Sequence, residues 1–150
     1  MTNPFPFAEL MSQDGLHCFR IGSYGYAYPE ADNEYDADWH RNPLSFTLPG
    51  FKVAFDEIIL SGGVVEDFVA ELKQFRALAI NEAVFDPIEP FFQLTFSFNQ
   101  LKKVVVSGYV EYPVGEGAQL QFEFETDLTY VDQFAAGLKE MLQRFPVRDV

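Results

Sequence analysis

The sequence has few cations and almost no cysteine. Of its 150 residues, 10 are Lys or Arg and 23 are Asp or Glu, which gives a formal net charge of -13 at pH 7. Because binding to phosphate needs clustered Lys and Arg, this charge argues against nucleic acid and against an anionic membrane surface as direct partners. The single cysteine, Cys18, excludes an intramolecular disulfide and a cysteine-based zinc cluster.

The chain also lacks recognisable targeting and membrane-spanning signals. Residues 1–13 contain no Lys or Arg and no long apolar stretch, so we do not interpret them as a signal peptide. No window approaches the roughly 20 apolar residues of a membrane-spanning helix. With 48% hydrophobic residues, the chain has the composition of a globular protein. We therefore expect one cytoplasmic domain covering residues 1–150, since domains commonly have about 100–200 residues.

The hydrophobic periodicity predicts an α+β fold, with one antiparallel sheet of five or six strands and two amphipathic helices on its apolar face. Two helices are predicted over residues 64–80 and 127–145, with Asp127 or Thr129 as the cap of the second. The last three strands are separated by short turns, so we expect an antiparallel meander. The predicted strands are residues 16–21, 44–48, 51–60, 92–98, 102–112 and 120–125.

A long polar segment, residues 22–43, separates the first two predicted strands. Loops of this length in compact domains are usually functional or disordered. Its carboxylates fall at every second position, so an extended segment would place them all on one side. Such a negative field attracts a basic partner, although a solvated acidic loop without a binding role is an alternative. These carboxylates are Glu30, Asp32, Glu34, Asp36 and Asp38.

Aromatic residues accompany these carboxylates. Trp39 is the only tryptophan, and tryptophan is enriched at the energetic centres of protein interfaces. Alternatively, Trp39 anchors the segment to the sheet. Tyrosines with acidic and glycine neighbours are typical of recognition surfaces. We predict a partner-binding surface that consists of Tyr26, Tyr28, Glu30, Asp32, Glu34, Tyr35, Asp36, Asp38 and Trp39.

The sequence offers little for catalysis. His17 and Cys18 are neighbours in a predicted strand, where adjacent side chains point to opposite faces and cannot form a nucleophilic pair. Counting an EF-hand from Asp32 places Ala37 where the glycine is required and Pro43 where the bidentate glutamate is required. We therefore predict no catalytic residue, no metal site and no cofactor. A small-ligand or metal-ion binding domain using loop 30–38 is the alternative function, and a structural or regulatory subunit is a third.

The segment Tyr35-Asp36-Ala37-Asp38-Trp39 and its surroundings resemble the WapI-type immunity proteins. The resembling features continue through a helix at residues 69–75, the segment 88–91 before the meander, and residues 122–127 before the last helix. Arg144-Phe145-Pro146 closes the pattern. Two positions depart from it, since Asp38 stands where an asparagine is expected and His40 where a leucine is expected.

The resemblance implies a small cytoplasmic bacterial antitoxin. Proteins of this family protect a cell from the C-terminal domains of WapA-like polymorphic toxins, which act in contact-dependent inhibition. Such toxin domains are often nucleases, whose substrate grooves are basic. The resemblance therefore implies an acidic protein that covers a basic toxin domain without performing chemistry itself. Because a strong net charge opposes self-association, we expect a monomer or a weak homodimer.

Overall fold

The computed structural model describes residues 4–149; residues 1–3 and 150, which belong to the predicted domain, lie outside the described residues. The helices are α1 (Gly62–Arg76) and α2 (Leu128–Arg144). The strands are β1 (Phe7–Met11), β2 (Cys18–Gly22), β3 (Gly25–Tyr26), β4 (Trp39–Leu48), β5 (Phe51–Ser61), β6 (Glu82–Phe85), β7 (Phe92–Phe98), β8 (Val104–Tyr112) and β9 (Ala118–Thr126).

All the strand pairs are antiparallel, and they form two sheets. In the first sheet, β1 pairs with β2, and β2 pairs with β4. The short strand β3 pairs with the same edge of β4 as β2 does, and β5 pairs with the other edge. The second sheet is a meander in the order β6-β7-β8-β9. The predicted α+β class is therefore confirmed, together with the two amphipathic helices. The strands, however, are divided into sheets of five and four rather than joined in one sheet of five or six.

Phenylalanine rings join the two sheets and the helices into one core. Phe46 of β4 stacks on Phe122 of β9 with ring centroids 4.2 Å apart, so the apolar faces of the sheets pack on each other. Phe68 of α1 stacks on Phe85 of β6 at 4.3 Å. Phe134 of α2 lies 6.2 Å from the ring of Phe19 in β2. Burying a phenylalanine side chain stabilises a fold by roughly 1.5–3 kcal/mol, so this aromatic core is a main source of stability.

The ends of α1 are set by local chemistry. The Ser61 side chain accepts a hydrogen bond from the backbone N–H of Val64, so the helix begins at Gly62, two residues before the predicted start. It ends at Arg76, four residues early, because Leu78 adopts a left-handed backbone with φ of +65°. Hydrogen bonds from Leu78 N–H to Phe75 and from Ala79 N–H to Gln74 then close the last turn.

The two helices are antiparallel neighbours. Asp127 caps α2, as predicted, because its carboxylate accepts a 3.0 Å hydrogen bond from Tyr130 N–H. Arg76, in the last turn of α1, donates from Nε to Asp132 Oδ1 in α2 over 3.0 Å. This contact fixes the end of α1 beside the start of α2. At the opposite end, Gly63 at the start of α1 and Arg148 just after α2 both donate to Asp38, and Phe145 contacts Tyr26 of β3.

Candidate partner-binding surface

The segment between β3 and β4, residues 27–38, is called the acidic loop below. Its base is closed by a 2.8 Å hydrogen bond from Ala27 N–H to the Trp39 carbonyl. The loop consists of turns and bends, whereas carboxylates at every second position share one side only in an extended chain. Its carboxylates therefore do not form one row. Four of them are exposed and the fifth is partly buried; the exposed four are Glu30, Asp32, Glu34 and Asp36.

Asn33 shapes the exposed half of the acidic loop. Its Oδ1 accepts hydrogen bonds from the backbone N–H groups of Tyr35 and Asp36, each at 3.0 Å. Its Nδ2 donates to Asp36 Oδ2 at 3.3 Å. An asparagine that bonds to the backbone two and three residues later stabilises a tight turn. The turn presents Tyr35 to solvent with 78% of its surface exposed.

Asp38 faces inward and ties three parts of the chain together. Its Oδ2 accepts from Gly63 N–H at 2.8 Å, at the positive end of the α1 dipole. Its Oδ1 accepts from Arg148 N–H at 2.9 Å. Both partners are N–H donors, so an acceptor-only carboxylate suits this position. A Cβ atom on Gly62 would lie 2.6 Å from Asp38 Oδ1, which explains the glycine there.

Residues 145–148 follow α2 and fold back over the base of the acidic loop; we call them the latch. Tyr26 Oη donates a 2.6 Å hydrogen bond to the Pro146 carbonyl. The Tyr26 ring meets the Phe145 ring edge-on, with centroids 5.8 Å apart. Gly25 has φ of +111°, and a Cβ atom there would lie 3.0 Å from Phe145. The glycine therefore allows β3 and the latch to approach closely.

The positively charged side chain of Arg148, in the latch, contacts the acidic loop. Its guanidinium lies 4.6 Å from the centre of the Tyr26 ring, which is a cation–π contact. The same group donates to three loop carbonyls: Nη1 to Tyr28 at 3.5 Å, and Nη2 to Pro29 and Ala31, each at 3.3 Å. Arg148 therefore binds the backbone of the loop rather than its carboxylates.

Beneath the loop lies a buried histidine. The ring of His40, with no exposed surface, has Nδ1 2.9 Å from Ser23 Oγ, while Nε2 has no hydrogen-bond partner among the described residues. Burial lowers the pKa of His40, and the nearby charge of Asp38 opposes that shift in part. Burial likewise raises the pKa of Tyr26, against the influence of Arg148. Both shifts favour neutral side chains beneath the loop.

The nine predicted site residues thus divide into two groups. Tyr26 and Asp38 are hydrogen-bonded within the protein, and Trp39 is a half-buried residue at the start of β4. The other six are exposed on the acidic loop: Tyr28, Glu30, Asp32, Glu34, Tyr35 and Asp36. Within residues 4–149, Arg76 and Asp132 form the one ion pair, so no salt bridge neutralises the exposed loop carboxylates.

Sequence reasoning missed Asn33 and Arg148, which organise the loop. Asn33 could have been found, because an asparagine among turn-forming residues commonly bonds to the backbone that follows it. Arg148 gave no local signal, since its partners lie about 120 residues earlier in the chain.

Among residues 4–149, no group of three or more His, Cys, Asp or Glu side chains is arranged to hold a metal ion. Neither described helix has the length and apolar character that crossing a membrane requires.

Comparison with known proteins gives one family match. The model of the immunity protein WapI-like family matches residues 9–146, nearly the whole chain. No curated protein matches the sequence. Three chains among solved structures match it. One of them, from crystal structures of Trypanosoma brucei MRP1/MRP2, is 10% identical and covers 96% of this chain and 86% of its own, with a TM-score of 0.49.

Proposed function

The chain belongs to the WapI-like immunity protein family, and we propose that it neutralises its cognate toxin by placing the acidic loop on a basic surface of the toxin domain. Membership of the family supports an immunity role. We further propose that the cognate toxin is a nuclease, and that the immunity protein excludes nucleic acid from the substrate groove of the toxin. A nuclease groove must be basic to hold phosphate, so it is a suitable target for an acidic loop.

The observation that carries this proposal is the exposed, unpaired charge of the loop. Four carboxylates reach solvent within seven residues of sequence, and no cation lies in salt-bridge contact with them among the described residues. Such fields raise association rates and select partners of opposite charge. The net charge of -13 gives the whole molecule the same sign. A basic toxin domain would thus be attracted from a distance and then oriented by the loop.

Binding strength would come from the tyrosines. Tyr28 and Tyr35 are 45% and 78% exposed, and each combines a large apolar ring with a polar tip. Aromatic anchors that lose their water on binding commonly provide most of the affinity of an interface, while charges at its rim mainly set the association rate. We therefore propose that the two tyrosines provide most of the affinity. The exposed carboxylates would mainly set the association rate; they are Glu30, Asp32, Glu34 and Asp36.

The proposal includes the state in which the protein acts. It works as a single domain of residues 1–150 in the cytoplasm, as a monomer or a weak homodimer. It binds the toxin stoichiometrically and performs no catalysis, without a cofactor. Inhibition by binding alone predicts a sharp end point at one immunity protein per toxin.

The direct test mixes the purified protein with the toxin domain encoded immediately upstream of its gene. The proposal expects a complex on gel filtration, and toxin activity that falls to zero at equimolar protein. Nuclease activity of that toxin, measured on RNA and DNA, tests the assignment of its class. Toxin activity that persists at molar excess, with no complex on the column, would refute the proposal for that pair.

A further inference from the structure

We infer that Arg148 is a positioning residue for toxin binding: it holds the acidic loop in the conformation that presents Tyr28, Tyr35 and the four exposed carboxylates. This inference rests on the proposed function, because it names the group that makes the binding surface rigid. It also divides the predicted site, since Tyr26 and Asp38 belong to the support of the loop and not to the surface that contacts the toxin.

The first support is the set of hydrogen bonds made by the guanidinium. It reaches the carbonyls of Tyr28, Pro29 and Ala31, three residues within four positions of the loop. A planar group with several fixed N–H donors can bind several carbonyls at once, whereas a lysine ammonium is a point charge on a flexible stem. One side chain thereby fixes the first turn of the loop.

The second support is the convergence of two other site residues on the same segment. Tyr26 holds the latch through its hydrogen bond to Pro146 and lies under the guanidinium. Asp38 holds the backbone of Arg148. The guanidinium is therefore placed from both sides, by β3 and by the end of the acidic loop. Both residues act on the loop through Arg148 and its segment.

The third support is the cost of ordering such a loop. Its four exposed carboxylates repel one another, and ordering a free loop on binding would reduce affinity by the lost conformational entropy. Arg148 orders the loop before the toxin arrives. It also leaves the carboxylates available, since it binds carbonyl oxygens instead.

Positioning by Arg148 and attraction by charge predict opposite changes in toxin affinity. Replacing Arg148 by glutamine makes the protein more acidic by one unit, in the middle of the proposed binding surface. If charge were the whole explanation, Arg148→Gln would bind a basic toxin more tightly. Loss of positioning instead predicts weaker binding.

The experiment compares Arg148→Gln with a matched control, Arg144→Gln. Both variants replace an arginine by glutamine, so they change the net charge equally. Arg144 is the exposed last residue of α2 and makes no side-chain hydrogen bond among the described residues, so its replacement should leave the loop in place. Hydrogen exchange is measured on each free protein at the loop amides that donate hydrogen bonds, which are those of Ala27, Ala31, Tyr35, Asp36 and Ala37. Affinity for the upstream-encoded toxin domain is then measured by surface plasmon resonance.

We expect exchange in the acidic loop of Arg148→Gln to be roughly tenfold to a hundredfold faster than in the wild type. Exchange in α1 and β7 should not change, which separates a loop effect from general unfolding. The toxin affinity should fall about tenfold, while Arg148→Lys should recover only part of it. The control should match the wild type in loop exchange and bind at least as tightly.

Unchanged loop exchange in Arg148→Gln would overturn the inference, and so would toxin binding that equals or exceeds that of the control. The exchange measurement is made without toxin, so it stands on its own. If the wild type binds no toxin although loop exchange depends on Arg148, the proposed function fails while the positioning of the loop stands.

Discussion

The side chain of Asp38 and the backbone of Arg148 meet across 110 positions of sequence, through a 2.9 Å hydrogen bond to Oδ1. The other carboxylate oxygen accepts from Gly63 at the start of α1. One aspartate thus joins the acidic loop, the first helix and the latch. In this fold, the last acidic residue of the Tyr35–Trp39 segment supports the loop, while Tyr35 and Asp36 face solvent.

Replacing Asp38 by alanine should lower the free energy of unfolding by about 2–3 kcal/mol, because two backbone N–H groups lose a charged acceptor. Urea titration followed by circular dichroism measures this change. Asp32→Ala is the matched control: its carboxylate is exposed and makes no hydrogen bond among the described residues, so a change within about 0.5 kcal/mol is expected. Equal losses in the two variants would contradict the structural role of Asp38.

The pKa of His40 predicts how stability depends on pH. Burial holds the folded-state pKa below the ordinary value of 6.5, so the unfolded chain takes up the proton first as the pH falls. The stabilisation is complete above pH 6.5 and is lost as the pH drops below it. Urea titrations at pH 7.5 and 5.5 should show a smaller loss of stability in His40→Gln than in the wild type. Equal losses in both proteins would contradict this assignment.

Leu78 predicts a stabilising substitution. It has φ of +65°, a conformation that costs a residue with a Cβ atom roughly 1 kcal/mol relative to glycine, and 73% of its surface is exposed. Leu78→Gly should therefore raise the free energy of unfolding by about 0.5–1 kcal/mol. Leu101 is 78% exposed and is not among the residues with positive φ, so it serves as the control. Leu101→Gly should leave stability unchanged or lower it; a gain equal to that of Leu78→Gly would exclude backbone strain as the cause.

Local features of the fold were predictable, and pairings over long distances were not. The cap and apolar stripe of α2 lie within one segment, so the helix limits could be predicted to within a residue and the cap narrowed to Asp127 or Thr129. The short strands β1, β3 and β6 offered too few residues for periodicity to detect. The assignment of strands to two sheets depends on contacts such as Phe46 with Phe122, which no local pattern contains.

The same distinction applies to the candidate site. The exposed carboxylates and tyrosines could be predicted from composition, because loops rich in acidic residues usually run over the surface. The inward direction of Asp38 could not, because it depends on an α1 terminus and a latch that are remote in sequence.

Cys18 should react slowly with thiol reagents. Burial, with a further contribution from the negative charge of Glu9, raises the pKa of this thiol to about 11. At pH 8 only about one thiol in a thousand is then the reactive thiolate. Because the chain has one cysteine, release of thionitrobenzoate from Ellman's reagent reports on this site alone. The rate should increase strongly in 8 M urea and moderately in Glu9→Gln. Native reaction as fast as that of the unfolded protein would show that the thiol is neither buried nor shifted.

Binding kinetics of two variants of equal charge test whether the acidic loop is the surface that captures a basic toxin domain. The first carries Glu30→Gln, Asp32→Asn, Glu34→Gln and Asp36→Asn. The second neutralises four exposed carboxylates elsewhere, which make no side-chain hydrogen bond among the described residues: Glu82, Asp86, Glu116 and Glu123. Capture by the loop predicts that the loop variant associates with the upstream-encoded toxin domain about tenfold or more slowly than the wild type at low salt, and that the second variant stays within about threefold. Equal association rates for the two variants would contradict it.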